Sequence, residues 1–90
     1  MLTRTLGPFT VSAIGLGAMP MSMGATDQPA EDRAVATVHA ALDAGVTFID
    51  TADIYAPSWD QMGHNERLVA KALASYGDTS GIIVGTKGGI

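Results

Sequence analysis

Apolar and polar positions along the chain change their period several times, and each change marks an element. From Leu2 to Val11, apolar and β-branched residues flank Gly7-Pro8, which predicts two short strands, Leu2 to Leu6 and Phe9 to Val11, around a tight turn. Ala13 to Gly17 is another short apolar run. It predicts a strand ending in the loop Gly17-Ala18-Met19-Pro20-Met21-Ser22-Met23-Gly24, where Pro20 blocks immediate helix propagation. The spacing then lengthens to three and four. Ala34, Val35, Val38, Ala41 and Leu42 form one stripe, Pro29 suits a first helical position behind Thr26-Asp27, and Glu31 and Asp32 sit where the helix dipole favours acids. This predicts a helix running to about Ala44 and closed by Gly45. Val46 to Ile49 then predicts a buried strand with Asp50-Thr51 at its carboxyl end. After a long loop from Ala52 to about Gly63, the stripe Leu68, Val69, Ala72, Leu73 and Tyr76 predicts a second helix, near His64 to Tyr76, closed by Gly77. Ile82 to Val84 predicts the next strand, with Thr86-Lys87 just beyond it.

Strand, helix, strand, helix, strand is the order of right-handed βαβ units in a parallel sheet covered by helices, so the fold class is α/β. A doubly wound sheet and a (β/α)8 barrel both show this order, and both place chemistry at the carboxyl ends of strands. Gly17, Asp50 and Lys87 recur at intervals of 33 and 37 residues. Eight such units would make a chain of ~250 residues or more, so these 90 residues hold about three strands of eight. An open three-stranded parallel sheet leaves unpaired edges and an uncovered apolar layer, and the chain is therefore expected to be part of a larger protein.

Composition removes several functions. Nine acids against five bases give a net charge of -4 and no basic footprint for nucleic acid, while 47% apolar residues argue against disorder. Without cysteine there is no disulfide framework, thiolate zinc site or cysteine nucleophile, and a cytoplasmic location is expected. Thr5 to Thr26 carries no charge and follows Arg4, like a signal peptide. Gly7, Pro8, Gly15, Gly17, Pro20 and Gly24 interrupt it too often for an apolar helical block, so neither a signal nor a membrane segment is expected.

Two constellations could carry chemistry. Gly15-Leu16-Gly17-Ala18-Met19-Pro20 has two glycines of a dinucleotide-binding fingerprint, but Pro20 replaces the third and no helix opens there to aim its amino terminus at a pyrophosphate. The second is Asp50 and Tyr55 with Lys87. On neighbouring strands about 4.8 Å apart, Asp50 and Lys87 can form an ion pair, and Tyr55 has enough chain to fold its hydroxyl back toward the ammonium. A phenol ordinarily ionises near ~10, and a nearby cation favours its anion. Such a tyrosine can hand a proton to a carbonyl oxygen as hydride reaches the carbon. Simpler roles compete: an acid, a tyrosine and a lysine near strand ends are commonly surface or capping residues. His39 reads as a half-buried packing residue with no second metal ligand at i+4, and His64 as a local hydrogen-bonding group opening a helix. Met19, Met21 and Met23 read as loop packing, and Asp53 as a loop cap without chemistry.

Four motifs, in order, resemble the amino-terminal portion of an aldo-keto reductase: Gly15-Leu16-Gly17-Ala18-Met19; Ala40 through Ala52 with Tyr55; Asn65-Glu66-Arg67-Leu68-Val69; and Gly85-Thr86-Lys87. The resemblance covers essentially the whole chain. It implies a partial (β/α)8 TIM barrel, residues 1–90 being the amino-terminal portion of one barrel domain with a hairpin and about three of eight strands. It implies reduction of an aldehyde or ketone by hydride from NADPH, or less often NADH, with Tyr55 as general acid, Lys87 and Asp50 assisting, and a histidine beyond Ile90 completing the set. The same resemblance places Gly17, Ala18, Met19 and Asp50 beside the nicotinamide ribose and makes a small carbonyl compound the partner. The 90 residues alone are expected to be inactive. One departure stands out: glycine usually follows this tyrosine, whereas here Ala56-Pro57 does, and Ser58-Trp59-Asp60-Gln61-Met62 extends the loop into a wall that could offer a carbonyl apolar surface. Two other readings remain: a non-catalytic NADPH-binding regulatory protein on the same barrel, and a βαβαβ module that self-assembles to cover its edges.

Overall fold

Gly7 and Pro8 make the first turn. In the computed structural model, which describes residues 1–89, β1 (Thr3–Leu6) and β2 (Phe9–Ser12) pair antiparallel, with Leu6 opposite Phe9. Gly7 sits at φ +58, and the ring of Pro8 holds a negative φ, the sign pattern of a two-residue hairpin turn. The hairpin is exposed apart from Val11 and Ser12, so it cannot hold its position by burial alone. Two hydrogen bonds attach it. The Ser12 main-chain N–H donates to Thr47 Oγ1 at 2.7 Å, and Thr47 N–H returns one to Ser12 Oγ at 2.8 Å.

The remaining strands are β3 (Leu16–Gly17), β4 (Phe48–Asp50) and β5 (Ile83–Gly85), all parallel, in the order β3-β4-β5. Gly17 pairs with Asp50, and Asp50 with Gly85, which brings the three carboxyl ends level. Two crossover helices join them, α1 (Gln28–Asp43) and α2 (His64–Tyr76). Asp27 caps α1 by accepting the Ala30 N–H at 3.0 Å, which makes Gln28 the first helical residue and Pro29 the second, one place later than the sequence suggests. Gly63 starts α2 at φ +88, a left-handed conformation that any side chain would strain.

β2 reaches one residue past its predicted end, to Ser12, and β5 is shifted by one, to Ile83–Gly85, whereas β3 and β4 start later than their apolar runs. Ala13 donates back to Leu2 O and Ser12 Oγ donates to Ile14 O, so β3 begins only at Leu16. Val46 N–H likewise returns to Ala41 O and Thr47 is held by Ser12, which delays β4 to Phe48.

Ile49, fully buried on β4, packs with Val38 and Leu42 of α1, Val69 and Ala72 of α2, and Ala18. Both helices cover the same face of the sheet and are tied to each other. His39 Nε2 donates to Ala72 O at 2.8 Å, Tyr76 hydroxyl donates to Asp43 at 2.6 Å, and Lys71 pairs with Glu31 at 3.1 Å. Sequential strand order with neighbouring helices on one face lacks the reversal that defines a doubly wound sheet. The sheet does not close on itself among the described residues.

Phe48 projects from the other face of β4, between two glycines. A Cβ on Gly85 would stand 2.8 Å from Phe48 Cζ, and one on Gly15 would stand 3.2 Å from Cδ1. Gly85→Ala is therefore expected to destabilise the protein by about 1–3 kcal/mol in urea titration. The cost should shrink when Phe48→Leu is present, since a smaller side chain relieves the overlap. Equal costs in both backgrounds would show that the two positions do not compete for space.

Candidate active site

The level ends of β3, β4 and β5 put Asp50 and Lys87 on adjacent strand ends. Lys87 Nζ donates to Asp50 Oδ1 at 2.8 Å and to the Thr51 carbonyl at 2.8 Å. The same ammonium lies 5.0 Å from the centroid of the Tyr55 ring. These three residues, spread along the chain, meet at one end of the sheet. The Asp50 and Lys87 side chains are 47% and 41% exposed, so the pair faces solvent and a ligand can reach it.

The pKa of Lys87 is raised above its ordinary 10.5, chiefly by the hydrogen bond to Asp50; partial loss of water opposes the rise, and Tyr55 adds to it. Lys87 is thus cationic throughout the neutral range. A raised lysine pKa stabilises the fold at every pH below the unfolded value, and that contribution is lost as pH climbs through the higher folded value. Titration of stability with pH is expected to show this loss only above 10.5, and the step should vanish in Lys87→Met. A loss attributable to Lys87 at neutral pH would contradict the pairing.

A buried polar cluster supports the strand ends from behind. Asn65, fully buried at the start of α2, donates from Nδ2 to Ala18 O at 2.7 Å and to Ser22 Oγ at 2.9 Å. Its Oδ1 accepts from Thr51 Oγ1 at 2.6 Å, and its main-chain N–H donates to Tyr55 O at 3.0 Å. Ser22 Oγ, already accepting from Asn65, lies 2.6 Å from His64 Nδ1. If the hydroxyl proton is directed to that nitrogen, the imidazole is the Nε2–H tautomer. The partner of His64 is therefore remote in sequence, where local hydrogen bonding is expected from the chain alone.

The other expected residues are placed as follows. Ala18 is fully buried, its N–H donates to Asp50 O, and its carbonyl accepts from both Met21 and Asn65. Gly17 and Met19 on either side are exposed, and a Cβ at Gly17 would meet nothing within 4 Å. Met21 packs against the core, while Met23 stays exposed. Asp53 binds through its backbone, donating to Lys87 O at 3.0 Å and accepting from Gly63 N at 2.7 Å. Its Oδ1 is buried without a partner among the described residues. Trp59, 86% exposed, joins Met23, Ile54, Ala56, Pro57, Ser58 and Met62 around a concavity of about 450 Å³. No group of three His, Cys, Asp or Glu able to hold a metal occurs among the described residues, and no helix there is long and apolar enough to cross a membrane.

Sequence reasoning misses the positions of Asn65 and Phe48. Asn65 carried two signals, its place at the head of the Asn65-Glu66-Arg67-Leu68-Val69 motif and its position inside the first turn of a helix, where asparagine is a poor helix former, but neither told which groups it would bond. Phe48 carried none, because its neighbours Gly15 and Gly85 are distant in the chain.

The model of the aldo/keto reductase family matches residues 13–90. Aldo-keto reductase YhdN of Bacillus subtilis (strain 168) is 39% identical over 79 residues, which are 84% of this chain and 22% of that protein. The holo form of aldo-keto reductase AKR11C1 from Bacillus halodurans is similar with a TM-score of 0.74 at 37% identity, over 99% of this chain and 26% of that one. The chain spans about a quarter of the length of these relatives.

Proposed function

This chain belongs to the aldo/keto reductase family, and from that premise we propose that it forms the Asp50, Tyr55 and Lys87 side of the active site in a reductase of aldehydes or ketones. The observation that carries the reading is one ammonium bonded to Asp50 at 2.8 Å while lying 5.0 Å from the Tyr55 ring. The complete domain is a (β/α)8 barrel whose further strands pair with the open edges of β3 and β5. NADPH is the proposed cofactor, with NADH as a second nicotinamide donor.

The residues present fit such a group. Gly17 leaves open space at the turn, Met19 is exposed beside it, and Asp50 commits only Oδ1 to Lys87. Its second oxygen is thereby available to a sugar hydroxyl. Ala18 has no free backbone group, so its part in the cofactor seat is to fix the turn that presents Gly17 and Met19. When bound, the dihydronicotinamide supplies hydride to the carbonyl carbon.

The protein's own groups manage the charge. Negative charge develops on the carbonyl oxygen, and Tyr55 donates its hydroxyl proton there. Lys87 stabilises the phenolate left behind, and Asp50 with the Thr51 carbonyl keeps the ammonium in place. The apolar wall of Trp59, Met62 and Ile54 stands on the loop that carries Tyr55 and offers a surface for the substrate's apolar part.

The test is NADPH oxidation with a panel of aldehydes and ketones by a barrel-length protein carrying this sequence, and separately by the 90 residues alone. Turnover is expected only from the longer form. Its absence there, with NADPH still bound, would favour the non-catalytic nucleotide-binding reading. Turnover by the short chain would refute the need for the remaining strands.

A further inference from the structure

We infer that Asn65 is a positioning residue of this site: its single buried amide clips the turn after β3 to the loop after β4, and so sets the cofactor seat relative to the acid. The chemical part of the inference rests on the function proposed above, while the clip itself stands on geometry.

The hydrogen-bond inventory is asymmetric in an informative way. Both Nδ2 hydrogens go to the first loop, at Ala18 O and Ser22 Oγ, whereas Oδ1 and the main-chain N–H go to the second, at Thr51 Oγ1 and Tyr55 O. No other side chain among the described residues hydrogen-bonds both loops. Each member of the site is one step away. Asp50 O accepts from Ala18 N–H, Lys87 Nζ donates to the Thr51 carbonyl, and Tyr55 is held through its own carbonyl. The side chain is fully buried, so water cannot replace a lost bond, and a missing partner leaves an unsatisfied group.

Helix formation does not explain the residue. Asn65 is the second residue of α2, where an acid would interact better with the helix dipole and asparagine has poor intrinsic propensity. Aspartate has the same shape and suits that dipole. It lacks the two donors, however, and would turn a carboxylate oxygen toward the Ala18 carbonyl. Asn65→Asp therefore separates the clip from the helix.

The experiment uses the barrel-length protein and compares Asn65→Asp and Thr51→Val with the parent. Readouts are NADPH dissociation constant, kcat and KM for a small aromatic aldehyde, thermal midpoint, and amide hydrogen exchange. Displacement of reacting groups by about 1 Å costs up to ~10²-fold in rate. Asn65→Asp is expected to lower kcat at least about tenfold and to weaken NADPH binding, with little change in aldehyde KM. The Ala18 amide of the first loop, bonded to Asp50 O, and the Tyr55 amide of the second, bonded to Ala52 O, should lose exchange protection together. Thr51→Val, which keeps both Nδ2 bonds, should show a smaller kcat loss with NADPH affinity closer to the parent. Parent-like kcat and NADPH affinity in folded Asn65→Asp, or exchange confined to α2, would overturn the inference. If Asn65→Asp does not fold, unchanged kcat in Thr51→Val overturns it. A parent protein that reduces no carbonyl would refute the proposed function, and joint exchange of the two loops would still decide the clip.

Discussion

Tyr55→Phe in a barrel-length protein is expected to reduce kcat for carbonyl reduction by about 10²–10⁴-fold, with NADPH affinity nearly unchanged. The substitution removes one hydroxyl and keeps the ring, so the contact of the ring with the ammonium at 5.0 Å survives. What disappears is the proton needed at the carbonyl oxygen while hydride arrives. Without it, negative charge must build in a site whose cation is already bonded to Asp50 and to the Thr51 carbonyl. Steady-state kinetics with an aldehyde, together with a separate NADPH titration, distinguishes the chemical step from binding. Undiminished turnover would remove Tyr55 from the role of acid and require a different donor.

Lys87→Met should be the second large loss, about 10²–10³-fold in kcat, the scale seen when one stabilising donor is taken from a developing charge. The argument concerns position more than charge alone. Lys87 is brought to Asp50 because Gly85 pairs with Asp50 across β4 and β5, and its backbone is held further by the Asp53 N–H donating to Lys87 O at 3.0 Å. Since the pair is partly exposed, its removal should lower the urea midpoint at neutral pH only slightly, by the same small contribution that the parent loses above pH 10.5. Large loss of turnover with retained stability is thus the expected signature. Lys71→Met is the control: it breaks the surface pair with Glu31 on the helices, far in role from the site, and should leave kcat unchanged. A fall in stability large enough to explain the lost activity would make Lys87 a structural residue.

Much of this was written in local pattern. The stripe Ala34, Val38, Leu42 repeats at helical spacing, so one face of α1 had to be buried, and it is. Leu68, Val69 and Ala72 did the same for α2. Gly7-Pro8 makes the hairpin turn because its backbone restrictions act within two residues. The Asp50 and Lys87 pairing was also legible, since level strand ends follow from parallel strands of similar length.

Other features arise only when distant segments meet. β3 and β4 start later than their apolar runs because side-chain bonds such as Ser12 to Thr47 compete with the ladder for backbone groups, and those partners are far apart in sequence. Ala18 belongs by sequence to the loop after β3, and only the closing of the core around it leaves it fully buried. The sequence by itself determined the order of elements and the chemical types at the strand ends, since periodicity and residue chemistry are local properties. Tertiary structure alone decided that Phe48 needs Gly85, that Ser22 faces His64, and that one amide at Asn65 joins two loops, because hydrogen bonding and close packing depend on distances through space that spacing along the chain does not encode.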